Sequence, residues 1–185
     1  RPQVDLDRCP GTGGRSRVAC RRRDLAGLLQ PLGNVGQIAA IQANLRNEAS
    51  IKRAVEGMDA VINLGGILQA YGKQRFDAIH VQGAGLVAQA ARDAGVKKLV
   101  HVSALGADRL SHSGYARTKA EGEDAVRRAF PSAIIFRPSV IFGPGDTLFN
   151  RFGALVRMSP LVPLIGGGRT RFQPVYAGDV AEAII

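Results

Sequence analysis

The sequence predicts an α/β fold built as a doubly wound parallel sheet. Short apolar runs rich in β-branched residues alternate along the chain with Ala-rich amphipathic stretches, a pattern typical of repeated strand–helix–strand units. The segments between the predicted strands are long enough for right-handed parallel crossovers. Glycine or proline follows several of the predicted helices, where helices commonly end. Ligands of such sheets bind at the carboxyl ends of the strands.

Strands are predicted wherever a short apolar run lies between turn residues. The predicted strands are 17–20, 38–42, 59–64, 98–103, 133–136 and 172–176. A glycine turn is expected at 166–168. Residues 1–16 follow neither a strand nor a helix period and contain proline and glycine. We therefore expect an irregular segment at 1–16 and one domain at 17–185.

Helices are predicted from amphipathic spacing together with start and stop residues. The predicted helices are 24–32, 48–55, 76–94 and 115–129, with one more that begins after Asp179. Gly33 can terminate the first, and Ser50 is a candidate to cap the second. Gly95 is expected to adopt the left-handed conformation that ends the third, and Pro131 follows the fourth as a stop.

Composition excludes several classes of protein. No apolar run approaches the roughly 20 residues that span a bilayer, and the polar N-terminus lacks the apolar core of a signal peptide, so we expect a cytoplasmic protein without a transmembrane segment. Cys9 and Cys20 are too few for a disulfide framework, and no metal-ligand spacing occurs. The net charge of +10 could attract nucleic acid, anionic lipid or an acidic partner. Because the basic residues are spread out and aromatics are only 5%, a solvated basic surface without a nucleic-acid partner is favoured.

Three polar residues form the sharpest candidate for chemistry. Tyr115 and Lys119 are four apart on a predicted helix and so share one face, and Ser103 ends a predicted buried strand. An ammonium beside a phenol favours the charged phenolate, so we expect Lys119 to lower the pKa of Tyr115 towards the range of a general acid or base. The Ser103 hydroxyl can then bind the substrate oxygen that gains or loses the proton.

The motif HVSALGADRLSHSGYARTKAEGEDAVRRAFPSAIIFRPSVIFGPGD contains these three residues and resembles the atypical and extended short-chain dehydrogenases. Within them it is most similar to the branch that contains the bacterial relatives of the 39-kDa accessory subunit of respiratory complex I. DAVINLGGI, FDAIHVQGA and FNRFGALVRMSPLVPLIGGGRTRFQPVYAGDVAEAI support the same branch, and the resemblance runs from Arg17 to the end. It implies an NAD(P)-binding Rossmann fold of the NAD-dependent epimerase/dehydratase type.

The resemblance also implies a set of cofactor contacts at successive strand ends. Lys119 would bind the nicotinamide ribose while Tyr115 and Ser103 face the substrate. The remaining implied contacts are Asn44 and Leu45 at the adenine, Leu64, Gly65 and Gly66 where the backbone approaches the cofactor, and Pro138, Ser139 and Val140 along the nicotinamide ring.

Arg21 and Arg22 end the strand at which NAD-preferring relatives place an acidic residue on the ribose hydroxyls. A guanidinium group there instead favours a 2′-phosphate, which it can bind through two hydrogen bonds. We therefore expect NADP(H) to be preferred, with NAD(H) as the weaker alternative. The competing interpretation is a solvated basic surface.

Two features depart from the pattern of that family. A strand and a glycine-rich turn that opens a helix should precede Arg17, yet the only candidate, 11–14, leaves no room for the helix. We expect the chain to be a fragment that lacks the first strand–helix unit, its central strand and the C-terminal region, and to bind dinucleotide weakly. In addition, His80 stands where relatives often carry an asparagine that holds a proton-relay water.

The sequence leaves more than one function open. The favoured one is a domain that holds NADPH as a structural element on respiratory complex I or another membrane-associated complex, peripheral at the inner membrane. The alternative is an active NADP(H)-dependent oxidoreductase or sugar-nucleotide epimerase/dehydratase that uses Ser103, Tyr115 and Lys119. A weaker third possibility is a basic adaptor surface for lipid or quinone enzymes, without chemistry of its own.

Overall fold

The structure, a computed structural model, describes residues 16–21, 37–146, 148–158, 167, 169 and 171–185. The described residues up to Arg137 belong to one compact unit, and those from Pro138 onwards belong to a second. Among the helices of the described ranges, none is long and apolar enough to cross a membrane.

The first unit alternates strands and helices along the chain, as predicted. Its strands are β1 (Ser16–Cys20), β2 (Ile38–Gln42), β3 (Ala60–Asn63), β4 (Lys98–Val102) and β5 (Ile134–Phe136). Its helices are α1 (Glu48–Val55), a π-helix (Asp77–Gly83) that continues into α2 (Ala84–Asp93), and α3 (Gly114–Ala129). The helix predicted at 24–32 lies outside the described residues.

The described strands form two parallel sheets. β1 pairs with β2, with Ser16 opposite Ile38, and β3, β4 and β5 pair in that order. The parallel pairing and the intervening helices confirm the predicted α/β class. No strand among the described residues joins β1 to β3, and the outward-facing Ile62 of β3 is 49% exposed. The described part of the first unit therefore contains two separate parallel sheets.

The core lies between β4 and the apolar faces of the helices. Leu99 on β4 is 1% exposed, and its neighbour Val100 is also buried, as expected for a strand covered on both sides. Small residues dominate the helical contribution, so the helices can approach closely. The buried cluster consists of Ile51, Val55, Ala84, Val87, Ala88, Ala90, Ala91, Val96, Leu99, Val126 and Phe130.

Helix α1 begins at a different cap from the one predicted. Asn47 has extended backbone angles and its side-chain oxygen accepts the Ser50 N–H at 3.0 Å, which is the geometry of an N-cap. The prediction that Ser50 caps this helix is wrong, because the Ser50 hydroxyl instead accepts the Asn44 N–H and donates to main-chain carbonyls. The expected left-handed Gly95 at the end of α2 is confirmed, with φ of +70°.

Arg17 connects the first sheet to α1. Its guanidinium donates to the carbonyl oxygens of Arg53, Ala54 and Glu56 at 2.9–3.1 Å. These carbonyls belong to the last turn of α1, where carbonyl groups have no N–H partner further along the helix and the helix dipole favours a positive charge. The contact therefore stabilises the end of the helix and holds β1 beside it.

The predicted helix at 76–94 is divided into a π-helix and α2. The π-helix packs closely on α3, and a Cβ placed on Gly122 of α3 would overlap the main-chain carbonyl of His80. Gly122 therefore permits an approach of the two backbones that no residue with a side chain allows. The helix predicted at 76–94 is present, and its first seven residues are a π-helix, whose spacing a pattern of seven residues cannot distinguish from α spacing.

The second unit contains a short parallel sheet and two helices. β6 (Ile141–Phe142) pairs with β7 (Val175–Tyr176), and α4 (Leu148–Met158) and α5 (Ala177–Ile184) complete the described elements. The sequence had not predicted β6 or α4. Helix α5 begins before Asp179, which lies in its first turn and there complements the helix dipole. Of the turn predicted at 166–168, Gly167 is described and has φ of +68°.

We predict that Gly122→Ala destabilises the first unit by about 2 kcal/mol, because the added methyl group forces the π-helix away from α3. Urea unfolding followed by circular dichroism measures the change. Gly106→Ala is the matched control, because its Cβ would meet nothing within 4 Å. Equal unfolding midpoints for the two variants would contradict the close approach described here.

Candidate functional site

Lys119 is the buried cation at the centre of the candidate site. Its side chain is 4% exposed, and its Nζ donates to the Val102 carbonyl at the end of β4 at 2.9 Å. Burial lowers the pKa of Lys119, and the nearby charge of Glu123 opposes that shift. An ammonium has three N–H donors, and this is the one hydrogen bond of Nζ within the described part of the chain.

Gly65 and Gly66 bring the main chain beside this ammonium. The Gly65 N–H donates to the Asn63 side-chain oxygen at 3.0 Å, and a Cβ on Gly65 would lie 2.5 Å from the Leu45 Cδ1. A side chain at Gly65 would therefore displace Leu45. A Cβ on Gly66 would lie 3.9 Å from both the Lys119 Nζ and the His80 Nε2. The segment after β3 thus passes Lys119 within van der Waals reach of a single added methyl group, and the preceding Leu64 is 70% exposed.

Tyr115 lies one helical turn before Lys119 and packs against two rings. The Tyr115 ring meets His80 edge-on, with centroids 5.4 Å apart, and meets Phe76 edge-on at 6.1 Å. Burial raises the pKa of Tyr115. The prediction that Lys119 lowers the pKa of Tyr115 is wrong for this structure, because the Lys119 ammonium points at the Val102 carbonyl instead.

Ser103 follows β4 and is held by its backbone. Its N–H donates to the Phe136 carbonyl at 2.7 Å, and its side-chain oxygen is buried. That oxygen makes no hydrogen bond with any described residue. The hydroxyl is still near enough to the Glu123 carboxylate to help lower its pKa. Ser103 is therefore beside the Glu123 carboxylate at the same sheet edge as Lys119.

Glu123 and Arg137 form an ion pair that sequence reasoning missed, in which the carboxylate is buried and the Arg137 side chain is 45% exposed. The Arg137 Nε and Nη2 donate to the two carboxylate oxygens of Glu123 at 2.8 and 2.7 Å. Glu123 is 1% exposed. Burial pushes the pKa of Glu123 upwards, but the hydrogen bonds from Arg137, the nearby Ser103 hydroxyl and the charges of Arg137 and Arg127 hold it below its usual range. The available signal was the spacing of Glu123, four residues after Lys119 on the same helix.

His80 and His101 are both buried next to Lys119. The His80 Nδ1 is 3.0 Å from the Thr118 hydroxyl, and its Nε2 is 3.1 Å from both the N–H and the carbonyl oxygen of Ile67. The Asn63 amide lies 3.1 Å from the His101 Nδ1. Burial, assisted by the charge of Lys119, lowers the pKa of each histidine to about 4. Both rings are therefore neutral at physiological pH.

Three of the four residues implied for the adenosine half of the cofactor lie among the described residues. The Asn44 side-chain oxygen accepts the Arg46 N–H at 3.0 Å, and Leu45 packs against the core. Arg21 directly follows β1 and is exposed, while its carbonyl accepts from the Gln42 amide. Arg22 lies outside the described residues.

Pro138, Ser139 and Val140 belong to the second unit. Within that unit the Ser139 hydroxyl donates to the Gln173 carbonyl, and the Val140 carbonyl accepts the Val175 N–H. Their contact with a nicotinamide ring stays a prediction. No group of three or more histidine, cysteine or carboxylate side chains suited to a metal ion occurs among the described residues.

The residues around Lys119 fit the ribose of a nicotinamide dinucleotide. Lys119 has N–H donors to spare, Gly66 presents backbone without a side chain, and the buried Ser103 oxygen lacks a well-formed hydrogen bond. The two hydroxyls of a ribose could accept hydrogen bonds from the Lys119 N–H groups for which the described residues provide no acceptor. The chemistry of this donor set therefore suits the ribose.

Comparison with known proteins identifies the family of this chain. The family described as the NAD dependent epimerase/dehydratase family matches residues 15–185. A Mus musculus protein, "NADH dehydrogenase [ubiquinone] 1 alpha subcomplex subunit 9, mitochondrial", is 40% identical over 158 residues, which cover 85% of this chain and 42% of that protein. A Caulobacter vibrioides "Ceramide reductase" is 33% identical over 173 residues, which cover 94% and 53%. The resemblance to the complex I accessory branch is confirmed.

A solved structure supports the fold. A double mutant of a dTDP-glucose 4,6-dehydratase from Streptomyces venezuelae, with NAD and DAU bound, superposes with a TM-score of 0.74 at 22% identity. The match covers 94% of this chain and 62% of that one. The chain thus spans about half or less of the length of the curated relatives named above.

We predict that the stability of the first unit falls as the pH is lowered from about 6.5 to 4. In this window the unfolded chain binds protons at His80 and His101 that the folded chain does not, because both folded pKa values lie at about 4. Each histidine should account for a loss of about 2 kcal/mol by pH 5. Urea unfolding at pH 7.5, 6.5 and 5 measures this loss.

His112 provides the control for that experiment, because it is exposed. His112→Asn should leave the pH dependence unchanged, whereas His101→Asn should remove about half of it. A free energy of unfolding that stays constant between pH 7 and pH 5 would refute the neutral buried state of the two histidines.

Proposed function

Because this chain belongs to the NAD-dependent epimerase/dehydratase family, we propose that it holds NADP(H), with NAD(H) as the weaker ligand. The observation that carries the proposal is the buried Lys119 ammonium, which has donors to spare and faces the Gly66 backbone. A buried cation without a full set of partners is costly unless a ligand completes them. The two hydroxyls of a ribose would do so.

Each remaining residue has a distinct task in this proposal. Gly65 and Gly66 allow the main chain to approach the cofactor, because any side chain at Gly65 would strike Leu45. Leu64 offers an exposed apolar surface beside them. Asn44 and Leu45 contact the adenine, and Pro138, Ser139 and Val140 pass the nicotinamide ring. A bound nicotinamide would supply the capacity to donate or accept a hydride.

The preference for NADP(H) rests on Arg21 and Arg22. Arg21 is exposed at the end of β1, and a guanidinium group binds a 2′-phosphate better than it binds a free hydroxyl. No acidic residue that would select the ribose hydroxyls of NAD follows β1 directly, since the next residues are Arg21, Arg22 and Arg23.

We favour a structural role for the cofactor over turnover. Burial raises the pKa of Tyr115, Lys119 bonds to a carbonyl, and the Ser103 oxygen is buried, so no described contact activates the phenol. The printed name of the Mus musculus relative is that of a subunit of NADH dehydrogenase. The partner proposed for this protein is therefore respiratory complex I or another membrane-associated complex, with the domain peripheral at the inner membrane.

An active reductase or epimerase/dehydratase is the second candidate, and Tyr115 favours it. A phenol whose pKa is raised by burial is protonated at neutral pH and can donate that proton to a substrate oxygen. The Caulobacter vibrioides relative bears the name of a reductase. In this case Ser103 would bind the substrate oxygen and Tyr115 would protonate it.

We predict weak but selective binding: NADPH should bind this chain at least about tenfold more tightly than NADH, a difference of about 1.4 kcal/mol. Fluorescence titration with each nucleotide measures the two affinities. The double variant Arg21→Ser with Arg22→Ser should lose the difference, because it removes the proposed phosphate contacts. Arg128→Ser, an exposed position late in α3, is the control. If neither nucleotide binds, the proposal is overturned. If the two bind with equal affinity, its NADP(H) part is overturned.

We predict that Tyr115→Phe keeps NADPH affinity within about threefold of the unaltered chain, because the proposed ribose contacts belong to Lys119. Oxidation of NADPH, followed at its near-ultraviolet absorbance in the presence of ketone or nucleotide-sugar substrates, separates the two candidate functions. Turnover that Tyr115→Phe abolishes would establish the enzyme. Stoichiometric binding of NADPH on titration, without turnover of any substrate, would establish the structural role.

A further inference from the structure

His80 is a buried side chain whose two ring nitrogens are both bonded to protein. The ring is 1% exposed. Its Nδ1 lies 3.0 Å from the Thr118 hydroxyl of α3, and its Nε2 lies 3.1 Å from the Ile67 N–H in the segment after β3. The ring itself stacks on Phe76, with centroids 5.3 Å apart and planes at 25°. One imidazole therefore joins three separate parts of the first unit.

The hydrogen bonds favour one tautomer of His80. The Thr118 hydroxyl has a single hydrogen to donate. Its oxygen lies 2.7 Å from the Gly114 carbonyl oxygen, one turn earlier in α3. If Thr118 donates there, its oxygen accepts from the His80 Nδ1–H. The Nε2 then has a lone pair for the Ile67 N–H. The opposite tautomer would leave the partly buried Ile67 N–H without its acceptor, and an unpaired N–H costs more than a carbonyl that accepts fewer hydrogen bonds.

The bonded segment is the one that borders the candidate cofactor site. Ile67 follows Gly66 directly, and a Cβ on Gly66 would lie 3.9 Å from both the His80 Nε2 and the Lys119 Nζ. Thr118 directly precedes Lys119 on α3. The His80 side chain therefore links the residue that follows Gly66 to the residue that precedes Lys119. The main chain of His80 is also close to α3, because Gly122 has no side chain to keep the His80 carbonyl away.

We propose that His80 is a positioning residue, whose neutral imidazole ties the Gly66–Ile67 backbone to α3 and so sets the width of the site between Gly66 and Lys119. This inference rests on the proposed binding of a nicotinamide dinucleotide. It gives the departure from the family's asparagine at this position a role of its own, since both ring nitrogens of His80 are bonded to protein. Positioning of this kind matters because small displacements of binding groups have large effects on affinity and rate.

Two conservative variants separate the two bonds of the ring. A glutamine amide reaches the place of Nε2, so His80→Gln can keep the bond to Ile67 and lose the bond to Thr118. An asparagine amide reaches only the place of Nδ1, so His80→Asn can keep the bond to Thr118 and lose the bond to Ile67. Both variants remove the imidazole and alter packing in similar ways, so each serves as the control for the other.

We predict that His80→Asn weakens NADPH binding by about tenfold, whereas His80→Gln stays within about threefold of the unaltered chain. Fluorescence titration measures the affinities. Hydrogen exchange of the Ile67 amide, read by nuclear magnetic resonance, should become faster in His80→Asn and stay slow in His80→Gln. The nitrogen shifts of His80 in the unaltered chain should report a protonated Nδ1 and an unprotonated Nε2.

The outcomes distinguish this inference from the proposed function. Equal loss of affinity in the two variants, or unchanged exchange of the Ile67 amide in His80→Asn, would overturn the positioning role. If the unaltered chain binds no nucleotide at all, the proposed function fails, and the exchange and tautomer measurements still decide whether His80 holds the Ile67 backbone.

Discussion

The close approach of the π-helix to α3 is the constraint on which the candidate site depends. Gly122 permits it, because any side chain there would overlap the His80 carbonyl. This contact puts the His80 ring between α3 and the segment after β3, and it places Tyr115 against that ring. Lys119, on the same helix, is thereby buried beside Gly66. The packing of two helices thus determines where a cation and an open stretch of backbone meet.

The electrostatics of the site follow from burial more than from pairing. Lys119, His80 and His101 are all removed from water, and burial is the main cause of each pKa change. The exception is Glu123, whose two oxygens are both bonded to Arg137. A buried carboxylate bound in this way costs a great deal to separate from its partner. It therefore anchors α3 to the end of β5, while the Lys119 ammonium beside it makes a single hydrogen bond to the described residues.

Much of the fold could be predicted because strand positions follow from short apolar runs, as β4 illustrates. The three residues Ser103, Tyr115 and Lys119 could also be found, since helical spacing brings Tyr115 and Lys119 to one face. The direction of the Tyr115 pKa could not, because it depends on whether the Lys119 ammonium points at the phenol or at a carbonyl. Sequence spacing does not encode that choice. The π-helix was missed for a similar reason, since its hydrophobic pattern over seven residues is also compatible with an α-helix.

Arg17 has a consequence for how the first unit comes apart. The pair β1–β2 is not joined by strand hydrogen bonds to β3, β4 and β5 within the described residues, and the Arg17 guanidinium clamps it to the last turn of α1. A sheet linked to its neighbours in this way can open as a separate cooperative unit, or foldon, before the rest of a domain. Since Arg21 directly follows β1, a ligand bound by Arg21 would stabilise the closed form of this sheet and so oppose its separate opening.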